Sequence, residues 1–252
     1  MNGFSNTLEI VKRNVKRNMR IPQLLVFSSI QPVIFLLLFN YVFGGAIGPE
    51  SGDKYINFLL PGILAQTALF GAIQTGVGLA EDLNKGVIDR LRSLPIARYA
   101  VLAGRTMADA IRNVFVVIIM LLVGFLLGFR FEQGVLSFVA ALGLVILFAY
   151  AFSWISATIG LVLRDSETVQ VAGFLWVFPL VFASSVFVPV HTMPDWLQVF
   201  AKNQPITQVV NAVRYLMFGL GDVSAVWNTL LWVAGLLAVF VPLAVWRYRK
   251  IQ

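Results

Sequence analysis

The sequence predicts an all-α, polytopic membrane protein with six transmembrane helices, built as a single transmembrane domain over 1–252. Three observations carry this. Hydrophobic residues make up 59% of the chain and charged residues only 12%, with a mean hydropathy of +0.84, whereas soluble domains carry about 25% charged residues. Six stretches reach the roughly 20 mostly apolar residues that a bilayer crossing takes. Their apolar runs are continuous rather than alternating, which argues against barrel strands.

The first element is the segment 1–22. Phe4, Leu8, Val11, Val15 and Met19 recur at helical spacing, and Lys12, Arg13, Lys16, Arg17 and Arg20 occupy much of the remainder. This reads as an amphipathic helix lying in the membrane interface, its apolar face in acyl chains and its cations among headgroups. It also reads as a basic flank that only sets topology. No short apolar run with a small-residue cleavage site follows it, so no removable leader is expected. Leu24–Phe43 and Ile56–Leu79 are the first two spans.

The connection 81–105 stands apart from the rest of the chain. It reads Glu81-Asp82-Leu83-Asn84-Lys85-Gly86-Val87-Ile88-Asp89-Arg90-Leu91-Arg92-Ser93-Leu94-Pro95, charged and amphipathic in a protein that is mostly apolar. Gly86 breaks the end of the second span. Val87 to Ser93 makes two helical turns, with Val87, Leu91 and Leu94 on one face, Asp89, Arg90 and Arg92 around it, and Pro95 as the stop. An apolar ridge with a charged rim is the anatomy of a docking knob; it is also that of a solvated surface helix.

Met107–Phe129, Val135–Leu163 and Val169–Val188 are the next spans. Asp109 lies four residues after Arg105 and three before Arg112, so a helix pairs them at the end of the third span. The fifth span is aromatic, with Phe174, Trp176, Phe178, Phe182 and Phe187; such a lining suits a greasy substrate and equally suits lipid. The segment 189–222 then carries short re-entrant helices. Pro194 sits in a first turn capped by Thr192, and Trp196, Leu197 and Phe200 share a face. The helix breaks at Asn203-Gln204-Pro205, and Ile206, Val209, Val210, Val213 and Met217 resume the spacing. Broken segments at membrane depth are tolerated only where protein covers them or they line a cavity. Val226–Trp246 is the sixth span.

Charge placement orients the bundle. With six spans both termini share one side, and that side holds fifteen of the 19 Lys and Arg residues, leaving Lys54, Arg130, Lys202 and Arg214 opposite. Both termini and the 81–105 connection are therefore expected in the cytoplasm. The net charge of +7 sits at membrane boundaries, so anionic lipid, not nucleic acid, is the expected partner. The chain has no cysteine, which excludes disulfides and thiolate chemistry. It has no Gly-x-x-x-x-Gly-Lys-Ser/Thr loop for ATP. His191 is its only histidine, and no acid, base or metal constellation accompanies it, so no catalytic residue and no metal site are expected. No span carries an ionised residue near its midpoint, which argues against ion-coupled transport. The neutral polar residues of the spans (Gln31, Asn40, Gln66, Thr67, Gln74, Thr75, Asn113, Ser153, Ser156 and Thr158) serve either helix packing or a substrate.

Two patterns in this order resemble the membrane subunit of a type-2 ABC exporter of the daunorubicin-resistance kind. The first is Glu81/Asp82, Gly86, Val87-Ile88-Asp89-Arg90-Leu91, Leu94-Pro95 and Gly104-Arg105. The second is Pro189, Met193-Pro194-Asp195-Trp196-Leu197, Asn203-Gln204-Pro205-Ile206-Thr207 and Val213-Arg214. The family usually has Asn-Pro where this chain has Asn203-Gln204-Pro205.

The resemblance implies a permease in the bacterial plasma membrane that exports a hydrophobic or amphiphilic substrate such as a drug, lipid or glycolipid. A separate nucleotide-binding ATPase subunit would supply ATP and Mg, with no cofactor in this chain. A second copy of the chain or a related permease would complete the pathway. On that reading Gly86, Val87, Asp89, Arg90, Leu91, Arg92, Leu94 and Pro95 couple to the ATPase, and the N-terminal helix links it to the first span. Pro194, Trp196, Leu197, Phe200, Pro205 and Arg214 form an outer gate. The path lies at the dimer seam between spans 2 and 5, with Phe70, Gln74, Phe178 and Phe182 as candidates. The nearest rivals are a polysaccharide or glycolipid exporter of the same family and a non-transporting assembly scaffold.

Overall fold

A computed structural model describes residues 3–19, 22–47, 55–88 and 98–250, and they are all-helical, with no strand among them. In chain order the helices are α1 (Gly3–Met19), α2 (Pro22–Leu38), α3 (Tyr55–Asn84), α4 (Arg98–Leu126), α5 (Gly134–Leu163), α6 (Ser166–Phe182), α7 (Asp195–Asn203), α8 (Pro205–Phe218) and α9 (Ser224–Lys250). A π-helical turn at Phe39–Phe43 and a last turn at Gly44–Ile47 extend α2.

Among the described residues four helical stretches are long and apolar enough to cross a membrane: Tyr55–Asn84, Ala100–Leu126, Gly134–Leu163 and Ser224–Lys250. Ser28–Phe43 and Ser166–Phe182 are apolar but shorter. At 1.5 Å per residue α6 is about 25 Å long, just under the roughly 30 Å hydrocarbon core. The apolar run predicted to Val188 continues, but the helix ends at Phe182. Beyond it Ser184 donates its hydroxyl to the carbonyl of Val181, and the chain turns through Ser185.

Helix α3 is the axle. Of its most apolar window 78% is buried inside the protein, against 17% for α9, which leaves its long apolar face outward. The tightest crossing is α3 on α5. A methyl at Gly76 would strike the carbonyl oxygen of Ser156, and one at Gly160 the carbonyl oxygen of Gly76. Small residues here let two backbones approach, which is how helices associate where lipid is as apolar as the side chains. Ser156 and Gly160 are four apart, one turn on the same face. Helix α5 ends at Arg164 in the left-handed conformation, φ 59°. Asp165 at once caps α6, accepting from the Thr168 amide at 2.7 Å and its hydroxyl at 2.6 Å. These bonds to the ionised form hold the Asp165 carboxyl below its ordinary pKa.

A second core joins Ile10 of α1, Leu79 of α3, Ile88, Ala100–Leu102 of α4, Trp154 and Leu161 of α5 and Ala244 and Tyr248 of α9. It gathers both chain ends and both flanks of the 86–97 segment at one end of the bundle.

Two local expectations change. Helix α1 spans Gly3–Met19, and its buried stripe is Ile10, Val11 and Asn14, while Leu8 is exposed. It is docked on α4, with Ile10 against Gly104, where a methyl would approach the Ile10 side chain to 2.6 Å. A predicted apolar stripe cannot tell protein from lipid as its neighbour; the glycine on α4 decides. Helix α4 starts at Arg98, ahead of the expected Met107, so Arg105, Asp109 and Arg112 lie within the helix rather than at its tip.

Candidate functional site: a polar cleft, a charged staple and a buried arginine corner

Asp82 of α3 and Arg105, Asp109 and Arg112 of α4 form one largely buried cluster. Arg105 pairs with Asp82 across the helices and, through Nε, with Asp109 at 3.3 Å. Arg112 closes on the other Asp109 oxygen at 3.7 Å and donates to the Gly71 carbonyl at 3.1 Å. Asp82, Arg105 and Asp109 are each under a tenth exposed. Burying charges is costly unless they pair and hydrogen-bond, and here two aspartates face two arginines. A methyl at Gly78 would overlap the Arg105 guanidinium, so that glycine makes the room. The helical spacing of Asp109 with both arginines is legible in the sequence. The Asp82–Arg105 pair is not, because 23 residues separate its members. It staples the two helices that flank the 86–97 segment.

At the exit of α3, Lys85 pairs with Glu81 at 3.3 Å on the surface. Gly86 then takes a positive φ of 64°, and its amide donates to Leu83 at 3.0 Å. That left-handed turn favours glycine and ends the helix as predicted. Ile88 is buried in the second core, and Val87 packs partly buried against it. This part of the expected ridge therefore faces the protein, because the second core reaches it first. Asp89, Arg90, Leu91, Arg92, Leu94 and Pro95 lie outside the described residues.

Beside the staple runs a cleft of about 510 Å³ between α2, α3 and α4, touched by Phe174 of α6. Its polar wall includes Gln31, Gln66, Thr67, Gln74, Arg112 and Asn113, and its apolar wall Phe35, Phe70 and Val116. The four expected path residues separate. Phe70 and Gln74 line this cleft, whereas Phe178 and Phe182 stack at 4.3 Å on the outward face of α6. Phe178 also lines an open, mostly apolar groove with Phe174 and Leu175. Phe174 belongs to both sites and lies 5.4 Å from Phe70. It joins what sequence spacing could not.

The last group is at the opposite end. Arg214 of α8 is buried, with Nε and Nη2 donating to the Phe58 carbonyl at 3.2 and 2.8 Å and Nη2 also to the Ser185 carbonyl at 2.7 Å. Its guanidinium lies 3.6 Å over the Phe58 ring. Tyr55 donates to the Phe187 carbonyl at 2.9 Å, and Thr207 accepts from the Ser185 amide at 3.2 Å. Ile206, Val209, Val210, Val213 and Met217 are fully buried, as their spacing predicts.

Pro205 opens α8. Gln204, the residue that separates Asn203 from Pro205, donates to the Leu180 and Ala183 carbonyls at 2.9 and 2.7 Å, capping the end of α6. Pro194 stands just before α7 rather than in its first turn. Thr192 donates to the Pro189 carbonyl at 2.8 Å instead of capping that helix. Trp196 and Phe200 are exposed, together with Val199, while Leu197 is half-buried. The face expected from these residues is split, because α7 rests on its neighbours along only one narrow side.

A sequence model of the ABC-2 type transporter family matches residues 5–218. The chain belongs to that family. It is 38% identical to the daunorubicin resistance ABC transporter permease protein DrrB1 of Streptomyces coeruleorubidus, over 98% of this chain and 87% of the relative. It is 29% identical to the probable doxorubicin resistance ABC transporter permease protein DrrC of Mycobacterium tuberculosis, over 88% and 80%. It is 28% identical to the putative transport permease ycf38 of Cyanophora paradoxa, over 82% and 72%. Membership in the ABC-2 family and several long apolar helices make it a multi-pass membrane permease. The matched region runs from α1 through the end of α8, so the staple, the cleft and the arginine corner all fall within the ABC-2 match.

Proposed function

We propose that this permease crosses the bacterial plasma membrane six times, with α2 and α6 as its short spans and both termini in the cytoplasm. It exports a hydrophobic or amphiphilic substrate, a drug, lipid or glycolipid, driven by ATP and Mg in a separate ATPase subunit. The observation that supports this most is the convergence of both chain ends, the Asp82–Arg105 staple and both flanks of the 86–97 segment at one end of the bundle. That is where a motor would have to grip. The named drug-resistance permeases among its relatives support the substrate class.

On this reading the ATPase docks on the segment that follows the Gly86 turn and the inward-packed Val87 and Ile88, through Asp89, Arg90, Leu91, Arg92, Leu94 and Pro95. A partner shifts a conformational equilibrium only by its differential affinity for the two states. The docked segment must therefore bind open and closed ATPase unequally, and the staple passes that difference to α3 and α4 as a unit. The arginine corner holds the outer gate, with Pro194, Trp196, Leu197, Phe200 and Pro205 on its moving side. A second permease covers the aromatic face of α6, forming the path with Phe178 and Phe182.

The test is capture of the ATPase by nanodisc-embedded permease, wild type against Leu91→Asp and Arg90→Glu. Stoichiometric capture that either change abolishes, with the membrane region still folded, is the expected result. Normal capture and transport by both variants at normal expression refutes the coupling role.

A further inference from the structure

Helix α7 has three sides. Leu197 is half-buried and Ala201 buried, and they rest on the protein. Trp196, Val199 and Phe200 share a second side and are 75%, 67% and 48% exposed. Asn203 ends that side with its amide donated to the Val199 carbonyl at 2.8 Å. The third side is polar. It carries exposed Asp195 and Lys202, with Gln198 donating to the Met193 carbonyl at 2.9 Å. A helix resting on protein in water needs two sides, one for each neighbour. Three large exposed apolar side chains on a helix of nine residues call for a third neighbour. The sides run along the helix instead of changing from one end to the other, which is the pattern of a helix parallel to a membrane surface.

Helix α9 sets the level of that surface. Trp227 and Trp246 are exposed, and no charged residue lies between them. Their 19-residue separation makes about 28 Å at 1.5 Å per residue, close to the roughly 30 Å hydrocarbon core. Tryptophan marks both membrane boundaries. Lys250 lies 3.9 Å over the Trp246 ring at one of them. At the other, Asn228 beside Trp227 donates to Gln208 at 3.3 Å, and Gln208 donates to the Lys202 carbonyl at 2.7 Å. These two bonds hold the last turn of α7 at the Trp227 boundary. Helix α8 gives the contrast. Its apolar stripe is fully buried in protein, as a broken segment at membrane depth must be, whereas no described residue covers the apolar side of α7.

We infer that α7 lies along the membrane boundary with Trp196, Val199 and Phe200 in the lipid, as an anchor for the moving side of the outer gate instead of a second re-entrant helix. Its side of the membrane and its link to the gate rest on the export reading; its contact with lipid does not. The occupant is the boundary between headgroups and acyl chains, with no choice of headgroup, because Asp195 and Lys202 cancel on the polar side. Helix α1 differs, since its exposed Arg13 and Lys16 favour anionic lipid. A gate anchored in this way moves by sliding along the bilayer. Lifting α7 clear would return three large apolar side chains to water.

The chain has no cysteine, so single cysteines report without background. Spin labels go on Trp196→Cys, Val199→Cys, Phe200→Cys, Asp195→Cys and Lys202→Cys, in full-length permease in nanodiscs of phosphatidylcholine with and without phosphatidylglycerol. All five positions are exposed, and unfolding at the wild-type midpoint certifies each variant. The labels at 196, 199 and 200 should collide with oxygen more than with a water-soluble nickel chelate, at a depth of about 5–10 Å into the headgroup–acyl boundary. Those at 195 and 202 should show the reverse, and both lipid mixtures should give the same depths. Three results overturn the inference: nickel access at all five positions; shielding of 196, 199 and 200 from both reagents, which makes a second permease the occupant; or labels at the bilayer centre. Lys202→Cys in intact cells is read separately with a membrane-impermeant maleimide. Labelling from outside supports the outer placement. Labelling only after permeabilisation removes the export reading's outer gate and leaves the lipid contact standing.

Discussion

Removing one member of the charged staple should cost more than any exposed ion pair, and by an amount the geometry ranks. Asp82, Arg105, Asp109 and Arg112 balance as two negative and two positive charges. Asp82→Asn keeps an acceptor oxygen near Arg105 but removes one charge, leaving Arg105 with Asp109 alone. The loss is about that of one charge-assisted hydrogen bond, about 1.5–3 kcal/mol. Arg105→Met removes the ion pair that ties Asp82 to α4 and leaves Asp109 with Arg112 at 3.7 Å. Stranding a buried charge costs about 3–5 kcal/mol. The double variant Asp82→Asn/Arg105→Met strands less than Arg105→Met alone, so the two changes should fall short of additive by about 1–3 kcal/mol. Reversible unfolding in mixed micelles measures all four corners of the cycle. Additivity within about 0.5 kcal/mol would mean that Asp82 and Arg105 do not act as a pair, and the staple would no longer serve as the link between the docking segment and the spans.

Other outcomes follow from the same geometry. Arg214→Met removes the donors to the Phe58 and Ser185 carbonyls inside the protein and should destabilise by about 2–4 kcal/mol; Arg214→Lys, whose compact ammonium has fewer donors and no planar fork, should recover only part of it, as read by thermal unfolding. Gln204→Leu removes both donors that cap α6 and should cost about 1–3 kcal/mol, with hydrogen exchange rising first at Leu180–Ala183. Gly160→Leu forces α3 and α5 apart at their closest crossing and should abolish stable folding, whereas the open position Gly235→Leu, with nothing near it, should not. The Asp165 carboxyl, held below the ordinary range by Thr168, gives the α6 cap a contribution that is present above the unfolded-state pKa and lost as pH falls through the lower folded value. A Thr168→Val change should return Asp165 toward the usual carboxylate pKa in an NMR titration, and an unchanged titration would sink that assignment.

The sequence by itself determined the class of the molecule. Long continuous apolar runs can only be helices in lipid, because each backbone amide must find its partner within its own segment. Charge placement and the Gly86 break set apart the 86–97 segment, and a left-handed glycine is needed there whatever packs nearby. The spacing of Ile206, Val209, Val210, Val213 and Met217 gave the buried face of α8, since period alone fixes which residues share a side. Tertiary structure decided what those faces meet. Ile10 rather than Leu8 is buried because Gly104 of α4 offers the hollow. Asp82 finds Arg105, and Arg214 the carbonyls of Phe58 and Ser185, across separations of 23, 156 and 29 residues that no local pattern encodes. Phe70 and Phe178, alike as aromatic residues in apolar spans, part company for the same reason. One lines a cleft and the other an outward face, and that difference depends on how whole helices rotate to bury the most surface, which the period of either helix alone leaves open.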